Sequence, residues 1–213
     1  MDFAALPTKG ERTRAHIVAT AANLFWRRSF HGVSVDLVAD AAQVNKATIY
    51  RYFADKGDLA LAVVRFNGAV TIETVFASSF DIYSSPQDRL AAIFRFVYGA
   101  HETMLEESGD IYGCPIVGLA LELGQDMPEI RKEAQHIFDQ VENYLTIIAR
   151  DAVDNNGLNQ SPEMLGRTLT QLLHGAFASA RLAGAPSRIL DAGNASLALL
   201  GFADTQIIQQ ERV

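Results

Sequence analysis

The chain has 213 residues, 49% of them apolar, with 18 Lys and Arg against 25 Asp and Glu. That length can bury a full core, and that composition excludes a disordered chain. A single cysteine, Cys114, excludes an intrachain disulfide framework and a multi-cysteine zinc site. Apolar runs stay short of a membrane span and the N-terminal residues lack a signal-peptide core, so a cytoplasmic protein with no membrane partner is expected.

The charge is unevenly spread. Residues 1–65 carry nine Lys and Arg against six Asp and Glu, while residues 66–213 carry nine against nineteen. A basic head on an acidic body can meet phosphate at one end and avoid it at the other.

No segment shows strand periodicity, and apolar residues recur at three and four throughout, so an all-α fold is predicted. The first helix spans about Lys9 to Arg28, with Ile17, Ala21, Leu24 and Phe25 on one face. Ser34 is an N-cap for a helix through about Ala42, and Asn45 for one over about Lys46–Tyr52. Asp55 opens a long fourth helix toward Ser79. Ser84-Ser85-Pro86 opens a fifth, to about Glu107. Gly109, Gly113, Pro115 and Pro128 then punctuate the chain. A helix from Pro128 to about Val153 stops at Asn155-Asn156-Gly157. Pro162 starts another, to about Leu182, and the last covers roughly Ser187–Phe202.

Ser34–Leu59 has the pattern of a helix-turn-helix. Val35, Val38, Ala39, Val44, Ile49 and Phe53 can pack inward against Leu24, Phe25 and Phe30. The third helix then turns Lys46, Ala47, Thr48, Tyr50, Arg51 and Tyr52 outward. Lys46 and Arg51 can neutralise phosphates, and the hydroxyls of Tyr50 and Tyr52 can donate to phosphate oxygens. Ala47 and Thr48 are small enough to approach base edges and touch a thymine methyl. Asn45 sits where helix N–H groups favour phosphate, and Ser34 stands at the start of the preceding helix. Lys56 opens the fourth helix and Arg14 lies on the first. All ten are candidate DNA-binding residues.

These residues resemble the N-terminal domain of the TetR family of transcriptional regulators. The resemblance covers about residues 9–60 and rests on Gly32, Ala41, Ala42, Val44, Lys46, Thr48, Tyr50, Tyr52, Phe53 and Lys56. Two positions depart from it. Gln43 stands where the family usually has glycine, so a left-handed backbone there would cost roughly 1 kcal/mol, and Leu37 occupies a usually polar site. The resemblance implies a DNA-binding domain over residues 1–55 and a helical ligand-binding and dimerisation domain over residues 56–213. It further implies a homodimer on a palindromic operator of double-stranded DNA, a repressor released when an unknown small-molecule effector shifts the fourth helix.

Tyr112-Gly-Cys-Pro-Ile-Val-Gly-Leu-Ala-Leu-Glu122 resembles a segment of one TetR branch, in which Gly-Cys precedes a short helix. That branch often has Asn-Leu where Gly118-Leu119 stands here. Cys114 at a helix start is either a reactive thiolate, implying an electrophilic effector, or a buried small hydrophobe. Phe66, Phe94, Tyr98, His101, Tyr112, Cys114, Phe138, His174 and Phe177 are the candidate effector-binding residues, suited to an apolar ligand with a few orienting polar groups. For dimerisation, Ile137, Val141 and Leu145 recur at spacings of four on one helix. Ala176, Ser179 and Ala180 belong to a small-residue surface on the next, to which Leu172 adds apolar area.

No phosphate loop, nucleophile elbow or metal-ligand cluster occurs, so no enzyme, catalytic residue, metal or cofactor is expected. A DNA-binding architectural protein without an inducer is the competing reading.

Overall fold

The computed structural model describes residues 6–207, and among these every regular element is helical. Ten α-helices follow in order. They are α1 (Lys9–Arg28), α2 (Val35–Ala41), α3 (Lys46–Tyr52), α4 (Lys56–Thr71), α5 (Ser78–Ile82), α6 (Pro86–Ser108), α7 (Pro115–Leu123), α8 (Pro128–Asn156), α9 (Pro162–Ala183) and α10 (Ser187–Leu199).

Local chemistry sets most of the ends. Thr8 and Glu11 form a reciprocal capping box at α1. The side chains of Ser34, Asn45, Ser85 and Ser161 accept from backbone N–H groups three residues on, starting α2, α3, α6 and α9. Gly109 and Gly184 close α6 and α9 in the left-handed region.

Three stretches differ from the sequence expectation. The fourth helix is not uniform: a π-helical turn, Ile72–Ala77, separates α4 from α5. The hydroxyls of Thr74 and Ser78 donate to the Val70 and Thr74 carbonyls four residues back, competing with the regular ladder at this point. α8 runs on to Asn156, whose amide donates to the Leu200 carbonyl. α10 stops at Leu199, because Leu200 leaves helical geometry and Gly201 has φ +83°.

Chain contacts divide the molecule into two compact units, Met1–Ala69 with Pro115–Gln135, and Val70–Cys114 with His136–Val213. The first holds α1–α3, most of α4, α7 and the start of α8. Its core includes Phe25, Val38, Ile49, Phe53, Leu59, Val63, Ile116 and Ile130, all buried. The second is built around buried Phe76, Leu90, Phe94, Leu145, Leu169, Ile189 and Leu197.

By length and apolar composition alone the run Lys56–Ile82 could cross a membrane, contrary to the expectation of short apolar runs only. Its apolar content has a packing use: Leu59, Ala60, Val63, Val64, Val75 and Phe76 are all core residues.

Candidate nucleic-acid interface and effector site

The first unit presents α3 as a small, capped and partly basic helix. Ile49 is 1% exposed and anchors the inner face, while Lys46, Ala47, Tyr50 and Arg51 are exposed. Val44, Leu24 and Phe30 are half-buried at the edge of that core. Thr48 is half-buried, and the Asn45 side-chain oxygen accepts from both its N–H, at 2.7 Å, and its hydroxyl, at 2.8 Å. Asn45 and Ser34 therefore act first as caps that fix where α3 and α2 begin.

The turn between α2 and α3 carries the predicted strain. Gln43 has φ +53°, and the Val44 N–H reaches back to the Ala39 carbonyl at 3.0 Å, the closing bond of a left-handed helix stop. A non-glycine residue there costs about 1–2 kcal/mol. His16 of α1 ties the same turn through a 3.1 Å bond from Nε2 to the Ala42 carbonyl.

The basic side chains are not equally free. Lys46 pairs with Asp36 at 2.9 Å, and hydrogen bonding to that carboxylate holds its pKa above the usual lysine range. Both partners are exposed, so the pair is worth little and a phosphate can displace Asp36. Arg51 lies over the Tyr52 ring and donates to its hydroxyl at 3.1 Å, remaining exposed at the end of α3. Arg14 stacks over Phe53, 5.1 Å from the ring centroid. Lys56 is different. Its ammonium donates to the Phe30 carbonyl at 2.6 Å, sits 3.9 Å from the Phe30 ring centroid, and is pushed to lower pKa by burial. Lys56 thus has a structural use inside the first unit.

Sequence reasoning passed over Glu122 of α7. Its carboxylate accepts from the backbone N–H groups of Phe30 at 2.9 Å and His31 at 3.0 Å. The available signal was a single charged residue in the otherwise apolar helix PIVGLALEL.

In the second unit, α6, α8 and α9 bring part of the candidate effector set together. His101 of α6 packs its ring 5.2 Å from that of Phe177, and His174 stacks edge-on to Phe138 of α8 at 4.6 Å. His174 and Phe177 lie three apart on α9 and so share a face, which joins the two pairs. Tyr98 donates to Glu102 at 2.6 Å, and the Tyr112 N–H reaches the Met104 sulfur at 3.3 Å. Cys114 is half-buried immediately before α7. Phe94 is 0% exposed and packs as core against the backbone of Gly193. Phe66 belongs to the first unit, where it lines a cleft of about 300 Å³ with Arg14 and Arg65.

His101 is the singular group of this site. It is 4% exposed, and Nδ1 lies 2.8 Å from the Val97 carbonyl. A carbonyl oxygen only accepts, so Nδ1 carries the proton. Burial, outweighing the Val97 and Gly113 backbone, pushes the pKa down and keeps the ring neutral. Nε2 is then a buried acceptor, and it has no hydrogen-bond partner among the described residues. Burial also lowers the pKa of His174.

These shifts predict a pH dependence. Above about 6.5 both histidines are neutral folded or unfolded and cost nothing. As pH falls below that value the unfolded chain takes up protons that the folded chain resists, so stability is lost toward acid. The loss is at most about 1.4 kcal/mol per pH unit for each histidine, with the half-buried His174 contributing the smaller share. Denaturant melts between pH 7 and 5 should show it, more shallowly in a His101→Gln/His174→Gln chain. Equal slopes in the two chains would contradict the assignment.

The candidate dimer residues fall into two groups. Ile137, Val141, Leu145, Ala176 and Ala180 are 4% exposed or less within a single chain, because the apolar stripe of α8 and the inner face of α9 already pack in the core. That burial leaves little of Ile137, Val141, Leu145 and Ala180 for a second copy, whereas Ala176 lines the cleft between α9 and α10. Leu172 is half-buried and Ser179 exposed, both lining the same open cleft of about 380 Å³.

Residues 17–63 match the family model described as bacterial regulatory proteins, tetR family, and residues 86–195 the one described as tetracyclin repressor-like, C-terminal domain. The transcriptional repressor NemR of Escherichia coli is 22% identical over 180 residues, 83% of this chain and 85% of that protein. The crystal structure of its reduced form aligns with a TM-score of 0.75 at 21% identity, covering 87% of this chain and 95% of that one. A regulator structure from Agrobacterium tumefaciens aligns with a TM-score of 0.77 at 19% identity, covering 90% and 98%. An uncharacterized helix-turn-helix regulator of Lactococcus lactis is 22% identical over 130 residues, and the match spans 61% of this chain and 64% of that protein.

Proposed function

The chain belongs to the TetR family of bacterial transcriptional regulators and is not an enzyme, and on that premise we propose that it is a cytoplasmic repressor, a homodimer that reads a palindromic operator and lets go when a small molecule binds its second unit. The observation that carries the DNA-reading part is the two-sidedness of α3: Ile49 sealed inward, with Lys46, Ala47, Tyr50 and Arg51 facing water.

The test is quantitative footprinting on the upstream region at several salt concentrations. Lys46→Ala should weaken binding alike across operator variants and lower the salt slope by about 0.9, the share of one phosphate contact. Unchanged affinity and slope would remove Lys46 from the phosphate-binding set.

Dimerisation is assigned to the outer faces of α9 and α10. Gly175 and Ser179 offer a small-residue surface there, Leu172 adds apolar area, and Leu182 is 89% exposed. Two such helices from each copy make a four-helix interface whose two-fold axis matches a palindrome. Light scattering should return twice the 23.2 kDa chain mass, and Ser179→Arg should halve it. A monomeric parent at operator-binding concentrations would sink the dimer.

The effector is a neutral, largely apolar molecule that brings a hydroxyl or N–H to His101 Nε2, since a buried neutral acceptor favours a donor over an anion or an ether. A release assay comparing a phenol, its methyl ether and a thiol-reactive enone discriminates the readings. Release by the phenol alone supports His101. Release by the enone alone moves the role to Cys114. Release by none favours an architectural protein.

A further inference from the structure

A second cleft lies on the opposite side of α6 from His101. Helix α6, the π-helical turn and α5 enclose an open cleft of about 590 Å³, within the range of small-molecule sites. Its floor includes buried Val75 and Ser79, and its rim carries Ile82, 69% exposed, and Phe96, 51% exposed. The wall hydroxyls of Thr74, Ser78 and Ser79 already donate to the Val70, Thr74 and Phe76 carbonyls, so of the lining hydroxyls only those of Tyr83 and Thr103 remain to donate beside the apolar surface.

One charge interrupts that surface. Among the lining residues only Arg95 is ionic; it is half-buried and makes no hydrogen bond or ion pair among the described residues. Residues 66–213 hold nineteen acidic side chains, yet none lines this cleft. A half-buried arginine left without an anion beside exposed aromatic and aliphatic surface is complementary to one ligand chemistry. The geometry points to a binding site for a small amphipathic carboxylate, with the carboxylate on Arg95 and the apolar body along Val75, Ile82 and Phe96.

Gly99 supplies an independent handle. It lines the cleft, and a Cβ built on it meets nothing within 4 Å. Gly99→Leu should therefore fill the cleft without disturbing α6, and removing a mid-helix glycine favours the helix.

The probe is decanoate, measured by calorimetric titration against the full chain, with decanol as the uncharged comparison. The parent should bind decanoate more tightly than decanol. Arg95→Gln should weaken decanoate by about tenfold or more and leave decanol unchanged. Gly99→Leu should weaken both, and His101→Gln neither. Circular dichroism and melting temperature confirm that each variant is folded. Decanoate binding no tighter than decanol, binding that survives both Arg95→Gln and Gly99→Leu, or binding lost in His101→Gln would each overturn the site.

Discussion

Phe94→Ala should lower the stability of the second unit by about 3–5 kcal/mol, the usual cost of removing a buried aromatic ring. Domains hold only about 5–15 kcal/mol in all, so the variant gives up a large part of its margin. Phe94 is 0% exposed within a core that includes Leu90, Ile93, Val97 and Leu197. A Cβ on Gly193 would lie 2.8 Å from the ring carbon Cγ and 2.9 Å from Cβ of Phe94. The ring therefore rests on bare α10 backbone beside the Ile207 side chain. The measurement is a denaturant melt followed by circular dichroism, with a fall in melting temperature on the order of 10 °C. This prediction also separates two roles. If Phe94 lined a space kept for an effector, alanine would enlarge that space at small cost. A loss below about 1 kcal/mol would return Phe94 to the ligand-contacting set, because a true core ring costs several times that.

Phe94 also illustrates what a sequence does and does not disclose. Spacing of three and four identifies a buried stripe, but not what covers it. Ile137, Val141 and Leu145 read equally well as a dimer seam or as core, and the fold spends them on core. Caps are local and were legible: Ser34, Asn45 and Ser85 with Pro86 each act within three residues of themselves, and Pro162 marked the start of α9, whose cap Ser161 was passed over. The π-helical turn was not, since Thr74 and Ser78 are ordinary helix-surface residues until their hydroxyls compete for carbonyls. Four of the six residues expected outward on α3, Lys46, Ala47, Tyr50 and Arg51, were legible because they follow from one buried neighbour, Ile49, while Thr48 and Tyr52 are half-buried. Which of its cations is already engaged was not. Asp36 lies ten residues before Lys46, and the Phe30 carbonyl twenty-six before Lys56. The effector group is intermediate. His174 and Phe177 share a helix face by spacing alone, but the unpartnered Nε2 of His101 is a property of tertiary packing.

Long-range partners of this kind decide the other large expected effect. Glu122→Ala should destabilise the first unit by about 2–3 kcal/mol and weaken operator binding. The affected loop follows α1 and is costly to hold. Ser29 has φ +62°, and Gly32 sits where a Cβ would meet the Arg28 carbonyl oxygen at 2.2 Å. Two side chains fix it. Glu122 accepts from the Phe30 and His31 N–H groups, and Lys56 donates to the Phe30 carbonyl, so the chain at Phe30 is held through both its N–H and its C=O. Hydrogen bonds to a charged group contribute about 1.5–3 kcal/mol each. The His31 end is exposed and water replaces much of its share, so the total stays near the value of one full bond. Alanine would also leave the partly buried Lys56 ammonium without the carboxylate that favours its charge. The loop leads directly into Ser34, the cap of α2, so freedom gained at Phe30 passes to the start of the helix-turn-helix. Amide hydrogen exchange at Phe30 and His31 should accelerate, and operator affinity should fall through the loosened loop. Glu122→Gln, whose amide keeps one oxygen acceptor, should lie between parent and alanine. If Glu122→Ala kept both the exchange protection and the affinity of the parent, the loop would be held by its own backbone and α7 would have no part in aiming the reading helix.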